Sequence, residues 1–241
     1  MSRDNDKVFV LVEPSYRGNI GAAARVLNNF GFSHLRLVGT IPQKEDHYLA
    51  VHSEEIMEQI EIFTDLKTAL HDTGVAIALT RRSGKKKKTD LEVRELREFM
   101  TALPRAKTAL VFGREAYGLK DEEIALCPIR CEIPTDESFG SLNLAQAVAI
   151  VAYELFGITP EKQPSRKLAG QDNIEKSVNW IISRLTSIGY FRTGDPGNVE
   201  RLLKSIFLRN YTRDEDLRFL EKMFHRIEVL FSIREGTNSN R

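Results

Sequence analysis

The stretch from Ile133 to Phe156 constrains this chain more than any other. It leaves a short strand, crosses a loop of Pro, Ser and Gly, and turns into a helix over residues 143–156. Ser141 or Asn143 can cap that helix, because a short side-chain oxygen satisfies the orphan N–H groups of a first turn. Leu144, Ala147, Val148, Val151, Ala152 and Leu155 repeat at helical spacing. Ala145 and Ala149 leave a second face nearly flat, so another backbone can approach closely there. A helix apolar on most sides is buried. Its entry loop instead offers Ser138, Ser141, Asn143 and free backbone N–H groups to a ligand, as loops on rigid scaffolds do.

Upstream the pattern is that of an α/β chain. Val8–Val12, Leu35–Val38, Val75–Leu79, Thr108–Phe112 and Arg130–Ile133 read as short buried strands. Residues 20–30 read as a helix, with Asn19 as its N-cap and Gly31 as its stop. Pro42–Ala69 is helical in pattern but interrupted, and Leu91–Leu103 reads as a helix. Strands alternating with helices imply a parallel sheet covered on both faces. Thr159–Gly170 shifts to Pro, Lys, Gln and Ser with no apolar period, which marks a linker. Beyond it lie three helical patterns, two of them behind capping boxes, Asp172-x-x-Glu175 and Thr212-x-x-Glu215. They read as a small bundle over 171–235, with 236–241 as a disordered tail.

Charge separates the chain further. From Pro160 onward 15 Lys+Arg stand against 11 Asp+Glu, and six cations crowd into Arg81–Lys88. Basic charge held in one loop and one tail suits a phosphate-bearing partner. No apolar run approaches the ~20 residues that span a bilayer, so no membrane role is expected. The start lacks the apolar core of a signal peptide, and two cysteines, Cys127 and Cys131, are too few for a disulfide scaffold. A reducing cytoplasm is the expected setting. The five histidines show no metal-ligand spacing, so no metal is expected.

Two loops at strand ends carry candidate chemistry. Gly18-Asn19-Ile20-Gly21 could cradle an anion at a helix N-terminus, but it lacks the third glycine of a dinucleotide fingerprint. Arg25, among Ala22, Ala23 and Ala24, has room to grip a phosphate or carboxylate; the alternative is an internal ion pair. Gly113 and Gly118 permit tight turns that bring Arg114 and Glu115 beside the Ile133–Asn143 loop, at the carboxyl ends of parallel strands.

Taken together, Asn19…Arg25, then Leu110-Val111-Phe112-Gly113-Arg114-Glu115…Gly118-Leu119, then Ile133-Pro134…Ser141-Leu142-Asn143-Leu144-Ala145-x-Ala147-Val148 resemble the three ordered motifs of SPOUT-superfamily RNA 2′-O-methyltransferases. The tail, with Ile188-Gly189-Tyr190-Phe191 and Leu202-Leu203-x-x-x-Phe207-x-Arg209, resembles the helical extension of bacterial tRNA methyltransferases acting on cytidine or uridine at anticodon-loop position 32. The resemblance implies a methyltransferase domain over 1–158 with a deep trefoil knot, although knots are rare. It implies a homodimer through that domain, S-adenosyl-L-methionine in the knot and tRNA across both subunits. Thr80, Phe112, Gly113, Glu115, Gly118, Ile133, Ser141, Leu142 and Asn143 would line the cofactor site. Arg25, with Asn19 and Ser141, would serve catalysis, and Arg82, Lys85, Lys86 and Arg114 would meet RNA.

Overall fold

A computed structural model describes residues 4–16, 18–81, 90–136, 138, 140–158, 168–191 and 194–238. The chain divides into two compact units, Met1–Ser165 and Arg166–Arg241. Among the described residues of the first unit, seven strands form one sheet: β1 (Asp4–Val12), β2 (Phe32–Val38), β3 (Glu61–Phe63), β4 (Val75–Leu79), β5 (Leu91–Glu92), β6 (Thr108–Phe112) and β7 (Ile129–Glu132). Their order is β3-β2-β1-β6-β4-β7-β5, and every pairing is parallel.

The helices of this unit are α1 (Asn19–Asn29), α2 (Lys44–Leu49), α3 (Glu54–Glu58), α4 (Leu66–Ala69), α5 (Leu96–Ala102), α6 (Asp121–Ala125) and α7 (Leu144–Leu155). β4 and β6 are buried along their whole length, which is why they read as continuous apolar runs. On one face Val8, Val10, Ala76, Ala78, Ala109 and Val111 pack with Leu66, Leu70, Ile124 and Cys127. The alternate residues face the other way, where Phe9 lies 5.2 Å from Phe32 and 6.1 Å from Phe112 between ring centroids. α1 packs on α7, α2 and β2.

Several expected boundaries move, each for a physical reason. The interrupted stretch 42–69 contains β3, whose Glu61 sits in register with Arg36 of β2 and accepts a hydrogen bond from its Nε at 2.7 Å. Arg36 is 1% exposed, and its guanidinium also reaches Asp72 and the Ala69 carbonyl. Leu91–Leu103, read as one helix, opens with β5 against β7 and a 3-10 turn at Val93–Glu95 before α5 begins. α6 has no counterpart in the sequence reading.

Asn19 is not the cap of α1. It is the first helical residue, behind Gly18 in a left-handed conformation (φ 83°). The helix N-terminus is filled instead by Asp46 of α2, 1% exposed, whose carboxylate accepts from the backbone N–H of Ile20 at 3.1 Å and of Gly21 at 3.4 Å. The anion expected at this turn is therefore one the chain supplies itself. Gly21 makes the approach possible, since a Cβ there would lie 1.8 Å from the Asp46 carbonyl oxygen.

The second unit contains α8 (Gln171–Ser187), α9 (Pro196–Arg209) and α10 (Asp214–Asn238). α8 packs against both of the others around Ile174, Val178, Ile181, Phe207 and Leu217. α8 starts from Gly170, so Asp172 lies inside its first turn and pairs with Lys176 instead of capping. The second box is shifted by one residue: Asp216, not Glu215, accepts from the Arg213 backbone N–H at 3.0 Å. Residues 236–238, expected in a disordered tail, belong to α10, and 239–241 lie outside the described residues.

Asp72 yields a pH test. Its burial raises the carboxyl pKa, but hydrogen bonds from Arg36 and Lys107 outweigh that and hold it well below the usual range. Stability from a depressed carboxyl is complete above the unfolded value of about 3.9 and fades as pH falls toward the folded one. Asp72→Asn should thus lower the denaturation midpoint at neutral pH. The difference from wild type should shrink progressively below about pH 4 in urea titrations.

Candidate active site

A cavity of about 470 Å³ opens at the carboxyl ends of β4, β6 and β7. Three segments build it: Leu79–Arg81 after β4, Phe112–Gly118 after β6, and Ile133 with Gly140–Leu142, Leu144 and Ala147. Thr80, Phe112, Gly113, Glu115, Gly118, Ile133, Ser141 and Leu142, expected around a cofactor, are brought together here. Asn143 is not on the wall. It is the N-cap of α7, and its Oδ1 accepts from the backbone N–H of Ala145 at 2.9 Å and of Gln146 at 3.3 Å.

The wall after β6 is a tight loop. Arg114 and Gly118 exchange backbone hydrogen bonds, with Gly118 at φ 66°. A Cβ on Gly113 would meet the Gly118 carbonyl carbon at 2.3 Å, so only glycine lets the two ends of the loop touch. Arg114 does not reach outward. Its guanidinium forms a bidentate pair with Glu123, both bonds 2.9 Å, and a further bond of 2.8 Å to Glu13. Both carboxyls are held below their usual range, Glu13 chiefly by the Arg114 hydrogen bond; for Glu123, burial acts upward but Arg114 outweighs it. Arg114, expected to meet RNA, is held in ion pairs within the chain while still lining the cavity.

Glu115 is the junction of the site. Its carboxylate accepts from the Ser15 N–H at 3.0 Å, the Ser15 hydroxyl at 2.8 Å, the Tyr16 N–H at 3.1 Å and Asn19 Nδ2 at 2.7 Å. Asn19 Oδ1 in turn accepts from Asn143 Nδ2 at 3.0 Å. Burial raises the Glu115 pKa, but these donors outweigh it and leave the carboxyl below the ordinary range. Asn19, expected among the catalytic residues, is 6% exposed with both ends of its amide engaged by Glu115 and Asn143.

Arg25 stands apart. It is exposed on α1, does not line the cavity, and has no hydrogen-bond or ion-pair partner among the described residues, which removes the internal-pair alternative there. Ser138 is exposed and does not line the cavity; its N–H donates to Asp136 of its own loop at 2.9 Å. Arg82, Lys85 and Lys86 lie outside the described residues. Sequence reasoning singled out neither Glu13, Ser15 and Tyr16 nor Asp46; the first three, in the loop after a buried strand, carried a positional signal, whereas Arg81 and Gly140 lie in loops already expected at the site. Among the described residues no group of His, Cys, Asp and Glu could hold a metal, and no helix is long and apolar enough to cross a membrane.

The profile of the SpoU rRNA Methylase family matches residues 6–153. The tRNA (cytidine/uridine-2′-O-)-methyltransferase TrmJ of Photorhabdus laumondii is 30% identical over 230 residues, covering 91% of this chain and 95% of that protein. The tRNA (cytidine-2′-O-)-methyltransferase TrmJ of Methanocaldococcus jannaschii is 37% identical over 152 residues, 61% of this chain and 66% of that one. Among solved structures, TrmJ from Z. mobilis superposes with a TM-score of 0.75 at 26% identity, covering 92% of this chain and 99% of that chain.

The junction can be tested without any ligand. Glu115→Gln presents an N–H₂ group toward donors, leaving a part-buried polar contact unmade at a cost of about 1–3 kcal/mol. Chemical denaturation should register that loss, and limited proteolysis should cut the 13–18 loop faster than in wild type. Wild-type stability and cleavage would remove Glu115 from the role assigned here.

Proposed function

The chain belongs to the SpoU rRNA Methylase family, and from that premise we propose that it uses S-adenosyl-L-methionine to methylate the ribose 2′-oxygen of tRNA, at a cytidine or uridine in anticodon-loop position 32. The observation that carries the reading is the cavity, two of whose three walls come from the second and third motifs and the other from the turn after β4. Its volume falls within the usual range of roughly 300–1,000 Å³ for small-molecule sites. Leu79, Phe112, Ile133, Leu142 and Leu144 offer apolar surface suited to a purine, and the Gly113–Gly118 contact brings backbone groups to the wall. tRNA is preferred to ribosomal RNA because the similarity to the Photorhabdus tRNA enzyme extends over nearly the whole chain, tail included.

When bound, the cofactor supplies an electrophilic methyl group on a sulfonium. The protein's part is to orient and to stabilise charge. Arg25 is effectively always protonated, so it acts as a cation toward a phosphate or the developing alkoxide and not as a base. The backbone walls held by Glu115 and Asn143 exclude water and fix the binding geometry. Since Arg25 lies off its own chain's cavity, the reading includes a homodimer through the first unit, in which Arg25 of one copy serves the cavity of the other. Tyr153, 63% exposed, and Phe156, 44% exposed, with Phe30 against both rings, give α7 an apolar surface for such a contact. The reading also includes a trefoil knot, a tRNA-docking role for residues 171–235 and a cytoplasmic setting.

Methyl transfer from labelled cofactor to unmodified tRNA, with the product mapped nucleotide by nucleotide, tests the assignment; label found only in ribosomal RNA would overturn it. Arg25→Lys should retain a cation but lose bidentate geometry, costing on the order of 10²–10³ in turnover. Arg25→Ala should lose more, with cofactor affinity little changed in both by calorimetry. A rate for Arg25→Lys that climbs through a new alkaline pKa would reassign the residue as a base. Gly113→Val should abolish cofactor binding, since even a Cβ meets backbone there, while the sedimentation behaviour stays that of wild type.

A further inference from the structure

Two tyrosines stand in water on loops that the Glu115 carboxylate ties together. Tyr117, 71% exposed, lines the cavity. It sits in the loop whose ends, Arg114 and Gly118, exchange backbone hydrogen bonds of 3.2 and 2.8 Å. Tyr16, 65% exposed, follows β1, and its N–H donates to Glu115 Oε1 at 3.1 Å. Among the described residues neither ring pairs with another ring or lies under a cation. Single exposed tyrosines are ordinary at a surface. These two differ in sharing one tether beside a cavity. Their backbones are already fixed, so a ring that docks on a ligand gives up only two side-chain torsions.

Resting on the RNA reading above, we infer that Tyr16 and Tyr117 stack on unpaired bases of an RNA loop, beside the ribose presented to the cavity. A ribose brought into the cavity draws its base out of the loop's own stack, and an aromatic ring at the mouth restores the lost contact. Every base has a π-face, so such a contact positions the strand whichever base it carries. Tyr16 does not line the cavity, although its N–H reaches a carboxylate that does. A ligand enclosed by the cavity walls therefore does not use it, whereas a strand crossing the mouth passes both rings. The two tyrosines are thus positioning groups for the nucleic acid.

The full chain, probed with an unmodified tRNA transcript and separately with S-adenosylmethionine, provides the test. Tyr16→Ala and Tyr117→Ala should each weaken tRNA binding about tenfold, the order expected for one lost base stack. Tyr16→Phe and Tyr117→Phe keep the ring and should bind within about twofold of wild type. Stacking releases no counterion, so the deficit of the alanine variants should be about the same at 50 and 200 mM salt. Cofactor affinity should stay within about twofold of wild type in all four, because both rings lie largely outside the enclosed space. Phenylalanine variants as weak as the alanine ones would overturn the inference in favour of a hydroxyl hydrogen bond. A cofactor affinity lowered about tenfold in Tyr117→Ala with tRNA binding intact would overturn it in favour of a cofactor contact. Unchanged tRNA binding, or a deficit that closes as salt rises, would overturn it too. A wild-type chain that binds no tRNA would instead defeat the RNA reading and take this inference with it.

Discussion

The Glu115 carboxylate is the interaction on which the site depends. Among the described residues it accepts from Ser15, Tyr16 and Asn19, donors that favour its ionised form and hold it in place. Through Asn19 it reaches Asn143, whose oxygen starts α7. Each amide spends its N–H₂ on the preceding acceptor and its oxygen on the next donor, which fixes both orientations. Segments near residues 15, 19, 115 and 143 are thereby set by one relay. The two cavity walls at 112–118 and 140–147 cannot shift independently. A low-dielectric setting strengthens each bond of such a chain and makes any missing partner costly.

A second constraint lies behind the first. α1 begins where Asp46 places a buried negative charge on its first N–H groups. A helix N-terminus attracts anions, and here the chain meets that demand with its own carboxylate, which leaves the turn unavailable to a ligand phosphate. Asn19 is freed from capping and becomes a bridge. The two glycines beside it serve different ends, since Gly18 supplies a left-handed turn and Gly21 supplies closeness to α2.

What the sequence disclosed follows from how local each signal was. β4 and β6 are buried on both faces, so their residues had to be continuously apolar, and their limits were legible to the residue. β3 and β5, of three and two residues, exist because a neighbour pairs with them, and no local pattern encodes that. Phe112, Gly113, Ile133 and Ser141 were grouped through the motif resemblance, and they do meet at one cavity, as strand ends in a parallel sheet converge. The ion pairs of Arg114 were not legible because its two partners, Glu13 and Glu123, lie 101 and nine positions away. Asn19 likewise resembled a cap, since the residue that displaced it, Asp46, belongs to a separate helix. The two capping boxes of the tail were displaced by a residue or two, as helix ends usually are.

The place of β1 in the sheet bears on how the chain is made. β1 is hydrogen-bonded to β2 on one side and to β6 on the other. The first partner is complete within forty residues of the start, while the second waits for the 95 residues 13–107. At usual translation speeds that interval lasts roughly 5–20 s, during which one edge of a strongly apolar strand has no partner. Closing so long a segment costs about 4 kcal/mol in chain entropy before any β1–β6 bond forms. The nascent chain is therefore most vulnerable to sticking just before Thr108–Phe112 leaves the ribosome, and a chaperone that shields Val8–Val12 would act in that window.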